Sequence, residues 1–122
     1  GPNYLMAATP LGDFLSFLET TLVPEKAKDT RLAFNLVDKV SGERFAVSLA
    51  NSVLVSEQGE TMPGAPTLTA PKPVLLGVLF GQVPLDAMVA ANQAQVDGDS
   101  ASIKQLITFL EMPKLDFNIV EP

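Results

Sequence analysis

The sequence contains no histidine and no cysteine. Histidine is both the commonest metal ligand and the commonest general base, so its absence removes most hydrolytic mechanisms from this chain. Without cysteine there is no disulfide framework, no thiolate-held zinc and no thiol nucleophile, while the redox compartment stays open. Basic side chains are scarce: 8 lysines and arginines face 14 aspartates and glutamates, a net charge of -6. A surface of that sign repels polyanions and lacks the basic stripe that nucleic-acid binding needs. Long apolar runs are also missing. The longest, VLLGVLFG from Val74 to Gly81, falls far short of the ~20 residues that cross a bilayer, and no basic-then-apolar signal segment is seen. There is no internal repeat and no low-complexity tract. A soluble domain with no transmembrane segment and no nucleic-acid partner is expected, its compartment open between cytoplasmic and exported.

What is present is ample apolar content. With 122 residues, 47% of them apolar, the chain can bury roughly two-thirds of the surface it exposes when unfolded. Gly1 and Pro2 have the form of a cleaved-tag remnant, which leaves residues 3–122 as one domain. Leu11, Phe14, Leu15 and Leu18 follow helical spacing after Pro10 and predict a first helix ending near Leu22, before Pro24. In RLAFNLVD (31–38) and RFAVSL (44–49), apolar and other residues alternate at the period of a strand, and Ser41 and Gly42 between them supply turn chemistry. Asn51 and Ser52 make a second tight turn into VLVSE (53–57), because asparagine tolerates the left-handed conformation.

The glycines and prolines between Gln58 and Pro66 predict a loop, followed by a short strand at 67–69. Pro71 and Pro73 fit a helix from about Lys72 to Phe80 because first-turn N–H groups have no helical partners to lose. Gly81 suits its end and Pro84 the start of a second short helix through Met88 to Ala91. AQVDGD (94–99) reads as a last strand, then Asp99 or Ser100 caps a helix whose apolar stripe is Ile103, Leu106, Ile107 and Leu110. The resulting class is α+β, a mainly antiparallel five-stranded sheet covered by helices.

Sites of independent chemistry are poorly supported. Asp97-Gly98-Asp99 has the start of a calcium loop, but its twelfth position is Thr108 rather than glutamate. Glu57 and Glu60 sit in or beside a loop without partners to tune them. The serines have no histidine and no nucleophile elbow, which leaves a Ser-Lys pair as the sole nucleophilic option. Arg31, Arg44 and Lys104 could meet an anionic head group, although single basic side chains are ordinarily solvated.

The segment TLTAPKPVLLGVLFGQVPLDAMVAANQAQVDGDSASIKQLITFL, with Thr69, Gly81, Val96, Gly98, Asp99 and Leu106 as its marks, resembles the sterol carrier protein type 2 fold. The ending LDFNIVEP, from Leu115 to Pro122, resembles the C-terminus of alkyl sulfatases, zinc hydrolases of the metallo-β-lactamase type. Asn51-Ser52, in place of Asn-Gly, and the proline-rich TAPKP depart from that pattern.

The resemblance implies a parent with a di-zinc hydrolase domain, a helical dimerisation segment and this sterol-carrier-like domain, which gathers the substrate's aliphatic chain. The chain alone is then non-catalytic, holds no cofactor, and has as partners a long-chain alkyl or lipid ligand and the parent's other domains. Zinc is expected in the missing catalytic domain. The hydrophobic site is assigned to Phe34, Leu36, Val47, Leu76, Phe80, Met88, Leu106 and Leu110, on the sheet's apolar face and the covering helices. With ~0.8 kcal/mol per buried methylene, a twelve-carbon chain gains up to ~10 kcal/mol gross, so micromolar binding is the expectation. Two alternatives stand beside this reading: an interaction module whose core is filled by its own side chains, and a free-standing lipid carrier. The apolar tail residues Phe117, Ile119 and Val120 are expected to act as a closing strap.

Overall fold

A computed structural model describes residues 8–112; the tail from Leu115 and the strap assigned to it lie outside those residues. The elements are α1 (Leu11–Thr20), α2 (Pro24–Ala27), β1 (Leu32–Asp38), β2 (Arg44–Ala50), β3 (Val53–Gln58), β4 (Thr67–Ala70), α3 (Lys72–Leu79), α4 (Leu85–Ala90), β5 (Gln95–Asp97) and α5 (Ala101–Thr108). The single helical turn α2 is an addition to the elements expected from sequence, and α1 ends two residues earlier than Leu22.

The five strands form one sheet in the order β3-β2-β1-β4-β5. Neighbours β1/β2, β2/β3 and β4/β5 are antiparallel, whereas β1 and β4 run parallel, so the sheet is mixed. The parallel pair follows from the chain's path. β3 lies at one edge, and the segment after it must cross β2 and β1 before β4 can join β1 on the far side. Tight turns join the first three strands. Gly42 at φ 79 serves the first turn, and Asn51 and Ser52 at φ 51 and 58 serve the second.

Strand register sorts side chains onto two faces. Phe34 stands opposite Val47, Leu36 opposite both Phe45 and Leu68, and Leu49 opposite Leu54; all are buried. Onto this face pack α1 against β3, α3 against β4 and β1, and α5 against β1, burying Leu11, Leu15, Leu18, Leu75, Leu76, Ile103 and Leu106 in one continuous core. Gly12 lets α1 sit against the Phe45 ring. Pro71 and Pro84 stand at the N-caps of α3 and α4, and Gly81 at φ 73 turns the chain out of α3. The start of α5 is held by Asp99, whose Oδ1 accepts the Ala101 N–H at 2.9 Å.

The opposite face carries Asn35, which is 2% exposed despite its outward register. The crossing loop covers it. Its Nδ2 donates to the Met62 carbonyl (3.0 Å) and to Thr67 Oγ1 (3.2 Å), and its Oδ1 accepts the Met62 N–H at 2.7 Å. One amide thus pins the loop to β1 by both donor and acceptor, which satisfies a buried polar group in full view of the sheet's hydrogen-bond ladder.

Candidate ligand-binding core

Every residue assigned to the hydrophobic site lies in or against one core. Phe34, Leu36 and Val47 come from β1 and β2, Leu76 from α3, Phe80 from its C-terminal end, Met88 from α4, Leu106 from α5, and Leu110 from just beyond it. The fold therefore brings together side chains spread over most of the sequence. Within the group there is a gradient. Phe34, Leu36, Val47, Leu76 and Leu106 have accessibilities of 1% or less. A side chain with no accessible area borders neither the outer surface nor a water-sized void, so in this conformation these five are sealed by their neighbours. Phe80 at 6%, Met88 at 9% and the partly buried Leu110 reach the periphery.

At that periphery α1 and α3 meet through aromatic rings. Phe80 makes an edge contact with Phe14, centroids 6.3 Å apart, and a tilted contact with Phe17 at 6.2 Å. Phe17 is 41% exposed. Sequence periodicity placed Phe14 on the helix stripe but gave no role to Phe17, which falls outside the Leu11, Leu15, Leu18 repeat. The signal was the three-residue interval from Phe14, which sets both rings on one flank of the helix.

Polar ties hold α1 near its ends. Lys72 Nζ donates to the Thr9 carbonyl at 2.8 Å, and the Ser56 N–H and hydroxyl both donate to Glu19 Oε2. Beyond α1, the Val23 N–H bonds to the Phe109 carbonyl and the Glu111 N–H to the Thr21 carbonyl, with Leu22 bridged to Leu110. Met112 packs on the core edge.

The charged candidates lie elsewhere. Lys104 forms an ion pair with Asp86 at 2.8 Å, both partners exposed, beside a shallow groove of about 440 Å³ between the α3–α4 link and α5. Arg31 flanks a second surface depression with Lys28 and Asn51. Arg44 is exposed at the start of β2. Asp38 is buried, but its Oδ1 accepts the N–H groups of Val40 and Ser41 within its own hairpin turn. Among the described residues no three acidic side chains are grouped to hold a metal ion. With no histidine or cysteine in the sequence, the donor set does not fit zinc. Among those residues, too, no helix is long and apolar enough to cross a membrane.

A sequence profile described as alkyl sulfatase C-terminal matches residues 1–122. The chain belongs to the alkyl sulfatase C-terminal family. This alkyl sulfatase C-terminal domain is 24% identical over 116 residues to a linear primary-alkylsulfatase of Pseudomonas, covering 94% of the chain and 17% of that protein. A solved structure of a stereoselective inverting sec-alkylsulfatase from Pseudomonas superposes with a TM-score of 0.82 at 26% identity, covering 95% of this chain and 18% of that one. The domain thus spans less than a fifth of the length of these relatives. The fold is also that of sterol carrier proteins. A palmitated sterol carrier protein 2-like protein from Aedes aegypti matches with a TM-score of 0.60 at 15% identity, over 86% of this chain and 96% of that protein.

Proposed function

We propose that this domain is the non-catalytic part of an alkyl sulfatase that receives the aliphatic chain of the substrate, while hydrolysis of the sulfate ester takes place at zinc elsewhere in the parent protein. The observation that carries this reading is the apolar layer between sheet and helices, in a fold that a palmitated sterol carrier-like protein shares. Its lining is proposed to be the group centred on Phe34, Leu36, Val47 and Leu76, reached from the peripheral Phe80, Met88 and Leu110, with Leu106 as its floor on α5. Because the inner members are sealed in the closed conformation, a chain enters only when the helices shift from the sheet. That cost is set against the ~0.8 kcal/mol gained per buried methylene, so binding is micromolar or weaker. The remaining domains of the parent are its proposed partners.

A second reading is favoured by the same sealed core: the domain packs against its parent and holds no ligand. Mass spectrometry of organic extracts from the purified chain, together with titration by a fluorescent fatty acid, separates the two. Recovery of a stoichiometric chain and saturable uptake support the ligand-binding domain. No extractable chain and no uptake would leave the packing module.

A further inference from the structure

Rings are distributed unevenly along the seam between α1 and α3. Phe17 is 41% exposed, Phe14 is half-buried and Phe80 is 6% exposed. One turn before Phe80 on α3 stands Leu76, sealed in the core. These side chains form an apolar line that starts in solvent and ends at the residues proposed to line the site. The two walls of the seam differ in how they are held. The start of α3 is held close to the sheet, because Pro71 alone separates it from the end of β4. By contrast, residues 21–31 separate α1 from β1, and the helix is tied by Lys72 to Thr9, by Ser56 to Glu19 and, just past its last residue, by the Glu111 N–H to the Thr21 carbonyl. Along its length it rests on side-chain packing. Such a helix can tilt without breaking any pairing within the five-stranded sheet, whereas moving β1 or β2 would disrupt its centre.

We propose that the seam lined by Phe14, Phe17 and Phe80 is the port through which a single saturated alkyl chain reaches the core, with α1 as the wall that moves. This rests on the reading of the domain as an alkyl-chain binder. Ring contacts suit the role. An edge or tilted aromatic pair contributes only ~0.5–1.5 kcal/mol beyond its buried area, so it opens at small cost, and a methylene chain offers replacement contact to the same ring faces. A chain threaded here leaves its polar head at the Phe17 end, in water, where desolvation costs it nothing.

The absence of tryptophan from the sequence makes the port directly observable. In Phe17→Trp the introduced indole is the sole tryptophan, and titration with dodecanoate below its micelle concentration is expected to give a saturable blue shift of its emission. Val53→Trp, on the outer face of β3 where the native side chain is 57% exposed, is expected to show none. Ser56→Ala removes the hydroxyl tie to Glu19 and is expected to speed dodecanoate uptake in stopped flow by about fivefold, the equivalent of one hydrogen bond. Uptake by the unaltered chain with a silent Phe17→Trp and an unchanged Ser56→Ala rate would overturn the port and leave the binding reading standing. If the unaltered chain takes up no dodecanoate, the binding reading itself fails and the port with it.

Discussion

Replacing Asn35 by alanine tests whether the crossing loop is held by one buried amide. The substitution removes bonds to the Met62 N–H, the Met62 carbonyl and Thr67 Oγ1. Each is between neutral groups and contributes ~0.5–1.5 kcal/mol net, so the three together are worth about 3 kcal/mol. Met62 is half-buried, and water reaching its freed groups would move the loss toward the lower end. Total stability for a domain is ~5–15 kcal/mol, so a loss of this size is large. Urea unfolding followed by far-UV circular dichroism should show a lower midpoint with an unchanged slope, because the same surface is exposed on unfolding. The main-chain bond from the Asn35 N–H to the Pro66 carbonyl, 2.7 Å, survives the substitution, so β1/β4 pairing should persist.

Asn35→Asp sharpens the test. The introduced carboxylate still accepts from Met62 N–H but turns a lone pair toward the Met62 carbonyl, so burial and repulsion raise its folded pKa above the unfolded ~3.9. A raised folded pKa means that stability is fully present below the unfolded value and falls as pH rises through the folded one. This variant should therefore recover toward wild type in acid, relative to Asn35→Ala. If Asn35→Ala unfolds within ~0.5 kcal/mol of wild type, below the contribution of even one such bond, the loop is not pinned in this way.

Other substitutions separate backbone from side-chain effects. In Gly12→Ala the added methyl would lie 3.6 Å from the Phe45 ring, an ordinary contact, so the better helix former should stabilise α1 by ~0.5–1 kcal/mol in thermal melts. Gly98→Ala should do the reverse: φ is +95° and the new carbon would stand 3.3 Å from Pro66 atoms, so a loss of ~1–3 kcal/mol is expected from the same melts. Phe34→Ala, at a site with no accessible area, should cost ~3–5 kcal/mol in urea unfolding. Lys104→Ala breaks an exposed ion pair with Asp86 and should change stability by less than ~1 kcal/mol, with that small difference fading at high salt.

Strand alternation and turn chemistry made β1, β2 and β3 legible in the sequence. The Ser41-Gly42 and Asn51-Ser52 turns are local, and each carries residues able to take positive φ. The proline and glycine marks of α3 and α4 were equally local. The parallel pairing of β1 with β4 was not legible, because the loop between β3 and β4 has a composition that marks it as a loop without saying which strand it must cross to reach. Asn35 was hidden for a related reason. It alternates correctly as an outward polar residue, and only the returning loop buries it.

Among the residues assigned to the hydrophobic site, Phe34, Leu36 and Val47 alternate along strands and Leu106 lies on a helix stripe, a pattern that is the same signal for a filled core as for a ligand chamber. Phe17 escaped because its one sequence signal, the three-residue interval from Phe14, does not say what a ring off the main stripe will meet. Its meaning comes from Phe80, far away in sequence.

The tie between Glu19 and Ser56 has a consequence for the sheet as well as for the helix. β3 is an edge strand, and an edge offers N–H donors on which a foreign strand could grow. The Ser56 N–H that faces this open side is already occupied by the Glu19 carboxylate, a group that can only accept. An approaching strand would have to displace that bond and bring its own carbonyl oxygen toward a negative charge. One acidic side chain therefore guards this point of the β3 edge, and a neighbouring molecule's strand that adds there has to displace it first.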